Sequence, residues 1–254
     1  MKQFDYTEND IVRSLKKAGV KKNDTILCHS DVQKFGVPKC GLNKTKIVKM
    51  FFRSFFKILG DNGTLIFPTF TYSFCNNEIY NPKKTYSLCG FISNNIKVIK
   101  KFTIYPDPNL SCIIYGKHKK FLSTLVDKNS YGENSLFERF FNLKGKICNL
   151  NLDAGSTFLH LLERKLNVNY RFDKEFEGKI IKNGKTIRDK FTIFSLYKST
   201  KKESNFEKFT QYAIKKNYYK QSNLGRGKIG LISSANCFKI LKEKIKKNKN
   251  FLLI

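Results

Sequence analysis

Apolar residues recur along this chain with two periods, and their order sets the expected fold. Over 43–59 they fall at Ile47, Val48, Phe51, Phe52, Phe55, Phe56 and Leu59, the three-and-four spacing of one helix face. The polar Gly60-Asp61-Asn62-Gly63 stops that helix. Thr7 is placed to cap an earlier helix over 8–17, which Gly19 ends. Short apolar runs bounded by polar residues predict buried strands at 25–29, 64–67, 111–115, 146–150 and 228–233. Further helices are predicted over 135–142, 156–166, 203–216 and 235–246. Asn183-Gly184 at the centre of 179–187 predicts a β-hairpin with a tight turn. Strands alternating with helices predict a three-layer α/β/α fold with a central mixed sheet. One domain over 1–254 is expected, with the hairpin carried by an insertion at about 170–220.

Composition narrows the class. With 254 residues, 41% of them hydrophobic, the chain can bury a core, which excludes general disorder. No apolar run approaches the ~20 residues of a membrane span. The opening Met1-Lys2-Gln3-Phe4-Asp5-Tyr6 has no apolar stretch and no cleavage site, so a secretory signal is not expected. The formal charge of +29 invites a nucleic-acid reading. Only seven of the 49 basic residues are Arg, however, and the charge is spread along the chain. Readers of phosphates and bases favour the guanidinium fork, so a nucleic-acid partner is not expected. Seven cysteines at irregular spacing, several inside apolar runs, describe reduced thiols in a cytoplasmic protein. Neither they nor His29, His118 and His160 have the spacing of a metal site.

Two segments carry candidate chemistry. Residues 28–36 follow the first predicted strand, where α/β sheets place ligands. Free backbone N–H groups, Ser30 and Lys34 there are suited to phosphate oxygens, although an ordinary polar loop fits the same residues. In the second segment, Ser156 is placed to cap a helix on which His160 and Glu163 stand three apart, on one face. A carboxylate beside an imidazole stabilises the imidazolium, which suits a general base. The plain alternative is a core histidine with a surface glutamate.

The order of the motifs adds a resemblance. The stretch LKKAGVKKNDTILCHSDVQKFG (15–36) is similar to LGV-x-x-GDT-L-x-V-HSSL-x-x-x-G of the aminoglycoside 3-N-acetyltransferase family. GDNGTLIFPTFT (60–71) resembles its G-x-x-GTL-x-x-PTFT, and YPDPNLSCIIYG (105–116) its HP-x-x-S-x-x-x-x-G. YGENSLFERFFNLKGKICNLNLDAGSTFLHLLE (131–163) resembles G-x-x-SP-x-x-x-L…GK-x-LLLG…T-x-LH-x-AE, and GKIG (227–230) falls at its last core strand. The chain departs from the pattern at Asp31, Asn151, Leu162 and, above all, Asp107, which replaces the histidine of HP.

The resemblance implies a three-layer α/β fold and transfer of an acetyl group from acetyl-CoA to an amino group of an amino sugar. It places the catalytic histidine on His160 and its acidic companion on Glu163. His29, Ser30, Asp31 and Val32 fall on the loop beside the coenzyme, with Phe35, Gly36 and Ser111 as further coenzyme contacts. Thr69, Asp107 and Arg171 are candidates for the oxyanion or the acceptor. A cysteine route through Cys28 is disfavoured, because Cys28 and His29 point to opposite faces of a strand. The charge of +29 favours an anionic acceptor such as a nucleotide-linked amino sugar for glycan biosynthesis, with an aminoglycoside as the alternative.

Overall fold

The computed structural model describes residues 4–254, so Met1, Lys2 and Gln3 of the stretch read for a leader lie outside the described residues. Helix α1 (Glu8–Ala18) opens on a capping box in which Thr7 and Asp10 satisfy each other's backbone N–H groups. It ends at Gly19, whose φ of 108° is the left-handed cap that favours glycine. Helix α2 (Lys44–Leu59) buries Ile47, Val48, Phe51, Phe55 and Leu59, leaving Phe52 and Phe56 half-buried at the edge of that face.

The central sheet has seven strands. Its middle is β1 (Thr25–Ser30) between β2 (Thr64–Pro68) and β5 (Lys146–Leu150), all parallel, with Leu27 in register with Ile66 and Ile147. Beyond β2 lie β4 (Cys112–Gly116) and β3 (Thr103–Tyr105), and beyond β5 lie β9 (Gly227–Ser233) and β8 (Lys220–Leu224), all antiparallel to their neighbours. Alternate residues of each strand feed two cores. Leu27, Ile66, Ile114, Ile147 and Ile232 pack against α5 (Leu136–Asn142), α6 (Leu159–Lys165) and α8 (Ser234–Lys247). Ile26, Leu65, Phe67, Cys148 and Leu231 pack against α1, α2 and the short α3 (Gly90–Asn95). This is the three-layer α/β/α arrangement with a mixed sheet that the alternation predicts.

The hairpin is longer than its turn signal, with β6 (Arg171–Lys182) and β7 (Lys185–Leu196) paired over their whole length. Asn183 and Gly184 both take positive φ, at 50° and 76°, as the two-residue turn requires. Lys and Glu on its solvent face hide the period in the sequence. Its inner face, through Ile180 and Phe191, packs on Phe74 and Tyr80. Tyr80 also exchanges backbone hydrogen bonds with Lys179 and Ile181 at 2.8 and 2.9 Å, tying the hairpin to the body.

Several elements differ from expectation. The strands β3 and β8 and the helices α3 and α4 (Lys119–Ser123) had no readable period, being short or, in β8, polar and exposed. Helix α7 begins at Glu207 rather than 203, because 203–205 instead pairs with the C-terminal 252–254 backbone. Helix α6 begins at Leu159, and Ser156 does not cap it: its hydroxyl is buried without a partner.

Candidate active site

The three parallel strands end together, and the chain leaves β1 to enter α2 and β2 on one side while β5 flanks the other. Open α/β sheets bind ligands at such a reversal. The loop after β1 is pegged to β5: the Asp31 N–H donates to the Leu150 carbonyl at 2.8 Å, and Asn151 Nδ2 donates to the Asp31 carbonyl at 3.0 Å. A cleft of about 410 Å³ opens there. One wall is His29, Ser30, Asp31, Val32 and Gln33; Phe70, Leu88 and Phe91 face it, and Leu152 and Thr157 close the end. His29 Nε2 and Ser30 Oγ are buried with no hydrogen-bond partner among the described residues. Buried polar atoms are normally satisfied, so two orphans on one cleft wall mark a place for a polar ligand. Burial pushes the His29 imidazole down to about 4, so it meets a ligand as a neutral ring.

Thr157 is also where α6 is approached, for its carbonyl accepts the His160 N–H at 3.2 Å. One turn of α6 brings His160 Nδ1 to 2.5 Å from Glu163 Oε2. The glutamate is not on the surface: its side chain is fully buried, against 16% exposure for His160. Burial alone raises a carboxyl, but His160 when it is an imidazolium, the Arg171 guanidinium and the Tyr170 hydroxyl hold that of Glu163 below the ordinary range. Tyr170 Oη donates to Oε1 at 2.6 Å, and Arg171 Nε lies 3.0 Å from Oε2 as a charge pair without an aligned hydrogen bond. Tyr131, edge to face with its centroid 6.0 Å away, and Phe206, tilted at 5.8 Å, flank the imidazole from two further sides. An ionised Glu163 accepts a hydrogen bond from Nδ1–H, which leaves Nε2 as the acceptor nitrogen.

The sequence profile of the aminoglycoside 3-N-acetyltransferases matches residues 27–246. The chain belongs to this family. It is an acyl-CoA-dependent N-acetyltransferase with acetyl-CoA as its co-substrate. Solved structures agree in fold. AAC(3)-Xa superposes with a TM-score of 0.82 at 15% identity, over 96% of this chain and 94% of that one. The YokD protein from Bacillus subtilis gives 0.79 at 18% identity, over 97% and 95%. AAC-IIIb, in its binary complex with CoASH, gives 0.80 at 14% identity, over 95% and 97%. No curated protein sequence matches the chain. The family finding also bears on the acceptor, since nothing in it favours a nucleotide-linked sugar over the aminoglycoside alternative.

Within this N-acetyltransferase the residues of the cleft suit the coenzyme. Unpaired His29 Nε2 and Ser30 Oγ match the amides of a pantetheine arm, and Phe70, Leu88 and Phe91 match its apolar stem. Among the described residues, no group of three or more His, Cys, Asp or Glu side chains is placed to hold a metal ion, and no helix is long and apolar enough to cross a membrane. All seven cysteines are free. Cys28 is buried on the α1–α2 side beside Cys148, and burial raises its thiol well above the ordinary value, which removes it as a nucleophile.

Other expected contacts are placed elsewhere. Phe35 is fully buried against Tyr6 and Phe51, with ring centroids 5.9 and 6.0 Å away, so it is core and not a coenzyme contact. Gly36 turns away with φ 86°, where a side chain would strike Asp5. Asp107 is buried, accepting from the backbone N–H groups of Asn109 and Leu110 and from Ser130 Oγ at 2.8, 2.9 and 2.6 Å. It therefore holds a turn and faces no acceptor, and burial raises its carboxyl. Ser111 Oγ donates to the Thr69 carbonyl at 2.6 Å, and the pair lines a separate cavity of about 160 Å³ with Lys83, Lys84 and Lys97. Arg171 is committed to Glu163, to the Phe194 carbonyl at 3.2 Å and to Ser204 Oγ at 2.5 Å, so it is not free for the oxyanion. Leu88, Phe91 and Tyr170 had no sequence signal, because each acts only where separate segments meet; Thr157 falls on the threonine of T-x-LH-x-AE.

Phe35→Ala separates core from coenzyme contact. It is expected to cost about 3–5 kcal/mol in denaturant unfolding. The KM for acetyl-CoA should not move. A raised KM without loss of stability would return Phe35 to the coenzyme site.

Proposed function

We propose that the chain acetylates an amino group of an aminoglycoside-type amino sugar by direct transfer, with His160 as general base. The observation that carries this is the 2.5 Å contact from His160 Nδ1 to the fully buried Glu163. Acetyl-CoA supplies the acetyl group already activated as a thioester, held along His29, Ser30, Asp31 and Val32. A sugar ammonium cannot attack until it loses a proton. His160 Nε2 takes that proton, and Glu163 keeps the ring in the tautomer that leaves Nε2 free and steadies the imidazolium that results. The freed amine attacks the thioester carbonyl, and the new C–N bond replaces the C–S bond. The departing thiolate takes the proton held by His160, and the second amine proton passes to solvent. The rings of Tyr131 and Phe206 prevent the imidazole from swinging away and limit water around it.

The net charge of +29 argues against a polycationic acceptor only at long range, and screening at physiological salt limits it to about 8 Å. Carboxylates also stand around the helix that carries the base. Arg164, one residue after Glu163, lies within the field of Asp173, Asp127 and Glu133, and Asp31 lines the cleft. Structures of AAC(3)-IVa and AAC-VIa are complexes with a gentamicin and with sisomicin, respectively, which supports the same acceptor class here. Release of coenzyme A should be measured for the purified protein against a panel of aminoglycosides and a panel of nucleotide-linked amino sugars. Turnover of the aminoglycosides is expected; preferential turnover of the nucleotide-linked sugars would overturn the proposal.

A further inference from the structure

Glu163 has more partners than a companion carboxylate needs. Beside His160 it meets Tyr170 Oη at 2.6 Å and Arg171 Nε at 3.0 Å, and no part of its side chain reaches solvent. Both partners stand where the chain enters β6, so the root of the hairpin supplies them. Arg171 is itself held, through the Phe194 carbonyl of β7 and through Ser204 Oγ, whose backbone bridges to Leu253 near the C-terminus. A guanidinium anchored at both ends and buried beside a catalytic pair is a device for fixing charge. We infer that Arg171, assisted by Tyr170, is a positioning residue that balances the buried charge of Glu163 and thereby sets how readily His160 takes the proton of the bound acceptor.

Glu163 contributes −1, Arg171 +1 and the resting imidazole 0, so the buried group is neutral. When a proton leaves the acceptor nitrogen and binds His160 Nε2, the group becomes +1 and the amine regains its lone pair. Without Arg171 the group would begin at −1 and would be neutral only with His160 already protonated. A base that holds its proton at rest cannot take another. The titratable and charged groups around the pair are Tyr131 before α5, Tyr170 and Arg171 at β6, and the pair itself on α6. Tyr131 is buried and its phenol is raised by that burial, so it stays neutral. Arg171 is thus the cation beside the carboxylate.

This inference rests on His160 as the base, so its test includes a measurement independent of turnover. In Arg171→Met the acidic limb of the kcat/KM profile is expected to move to higher pH by on the order of one unit, about a tenfold loss on that limb. Activity should recover on the high-pH plateau, and the KM for acetyl-CoA should hold. Arg171→Lys restores the charge and should return the limb toward the wild type. The titration midpoint of the His160 imidazole, followed by NMR in the same proteins, should move in the same direction. Tyr170→Phe removes only a neutral donor and should move the midpoint upward by less; it decides the matter if Arg171→Met does not fold. An unshifted midpoint in Arg171→Met, or in Tyr170→Phe where that alone folds, overturns the inference whatever the activity. A shifted midpoint in a chain whose turnover survives loss of His160 would instead leave the charge balance standing and remove the base.

Discussion

Replacing His160 with Ala is expected to cut turnover by about 10²–10⁴-fold, the usual contribution of a positioned general base. The expectation follows from what the side chain touches. Its Nδ1 is committed to Glu163, its faces are bounded by Tyr131 and Phe206, and its 16% exposure leaves a route for the acceptor. The cleft at His29 to Gln33 is built from other elements and should survive intact. Coenzyme A affinity, measured by calorimetry, should therefore change little while kcat collapses. Loss of both together would mean that the ring supports the fold; retention of turnover would remove His160 from the mechanism. Added imidazole provides a further check, with partial rescue expected only if the missing function is proton acceptance.

Glu163→Gln is expected to be the most damaging single change to stability around the site. Arg171 would remain buried with its counter-charge gone, and breaking one side of a buried ion pair costs about 3–5 kcal/mol. The pH dependence gives the sign independently. The carboxyl of Glu163 is held below its ordinary 4.5 despite burial, by His160, Arg171 and Tyr170. A depressed folded-state value means that its contribution is fully present above about pH 4.5 and is lost as the pH falls below that. The wild type should therefore lose stability on acidification through this range, and Glu163→Gln should lose less over the same interval. Urea unfolding at several pH values checks both parts. A variant as stable as the wild type at pH 7 would show that the Arg171–Glu163 contact carries no net weight.

The Arg171 and Glu163 predictions are coupled and should not be added. Each variant strands the other's partner, and residues in one contact network share their interaction energy. A double variant that replaces both by neutral side chains should cost less than the two single changes together.

The legible part of this fold was the part with a period. α2, the three parallel strands and the Asn183-Gly184 turn each announce themselves through neighbours in sequence, since side-chain spacing reports the backbone directly. β8 was invisible because this edge strand buries only Leu224 among polar residues, too little to write a period into the sequence. α7 starts late for a different reason: the 203–205 backbone is claimed by residues 252–254, a competition that no local window contains.

The candidate site divides along the same line. His160 and Glu163 could be paired from their spacing, because three residues on a helix bring side chains together whatever surrounds them. The ordered motifs of 15–163 placed the chain in its family, and with that its reaction. What the sequence could not carry was environment. Glu163 is wholly buried, Asp107 holds a turn instead of meeting an acceptor, Phe35 belongs to the core, and Arg171 is taken up by a carboxylate eight residues earlier in the chain. The chain by itself therefore determined the periodic elements, the family and the pairing of His160 with Glu163 on one helix face, which depend on local spacing and motif order. Only the tertiary structure decided which side chains are desolvated and which charges meet, because burial and ion pairing arise where distant segments close on one another.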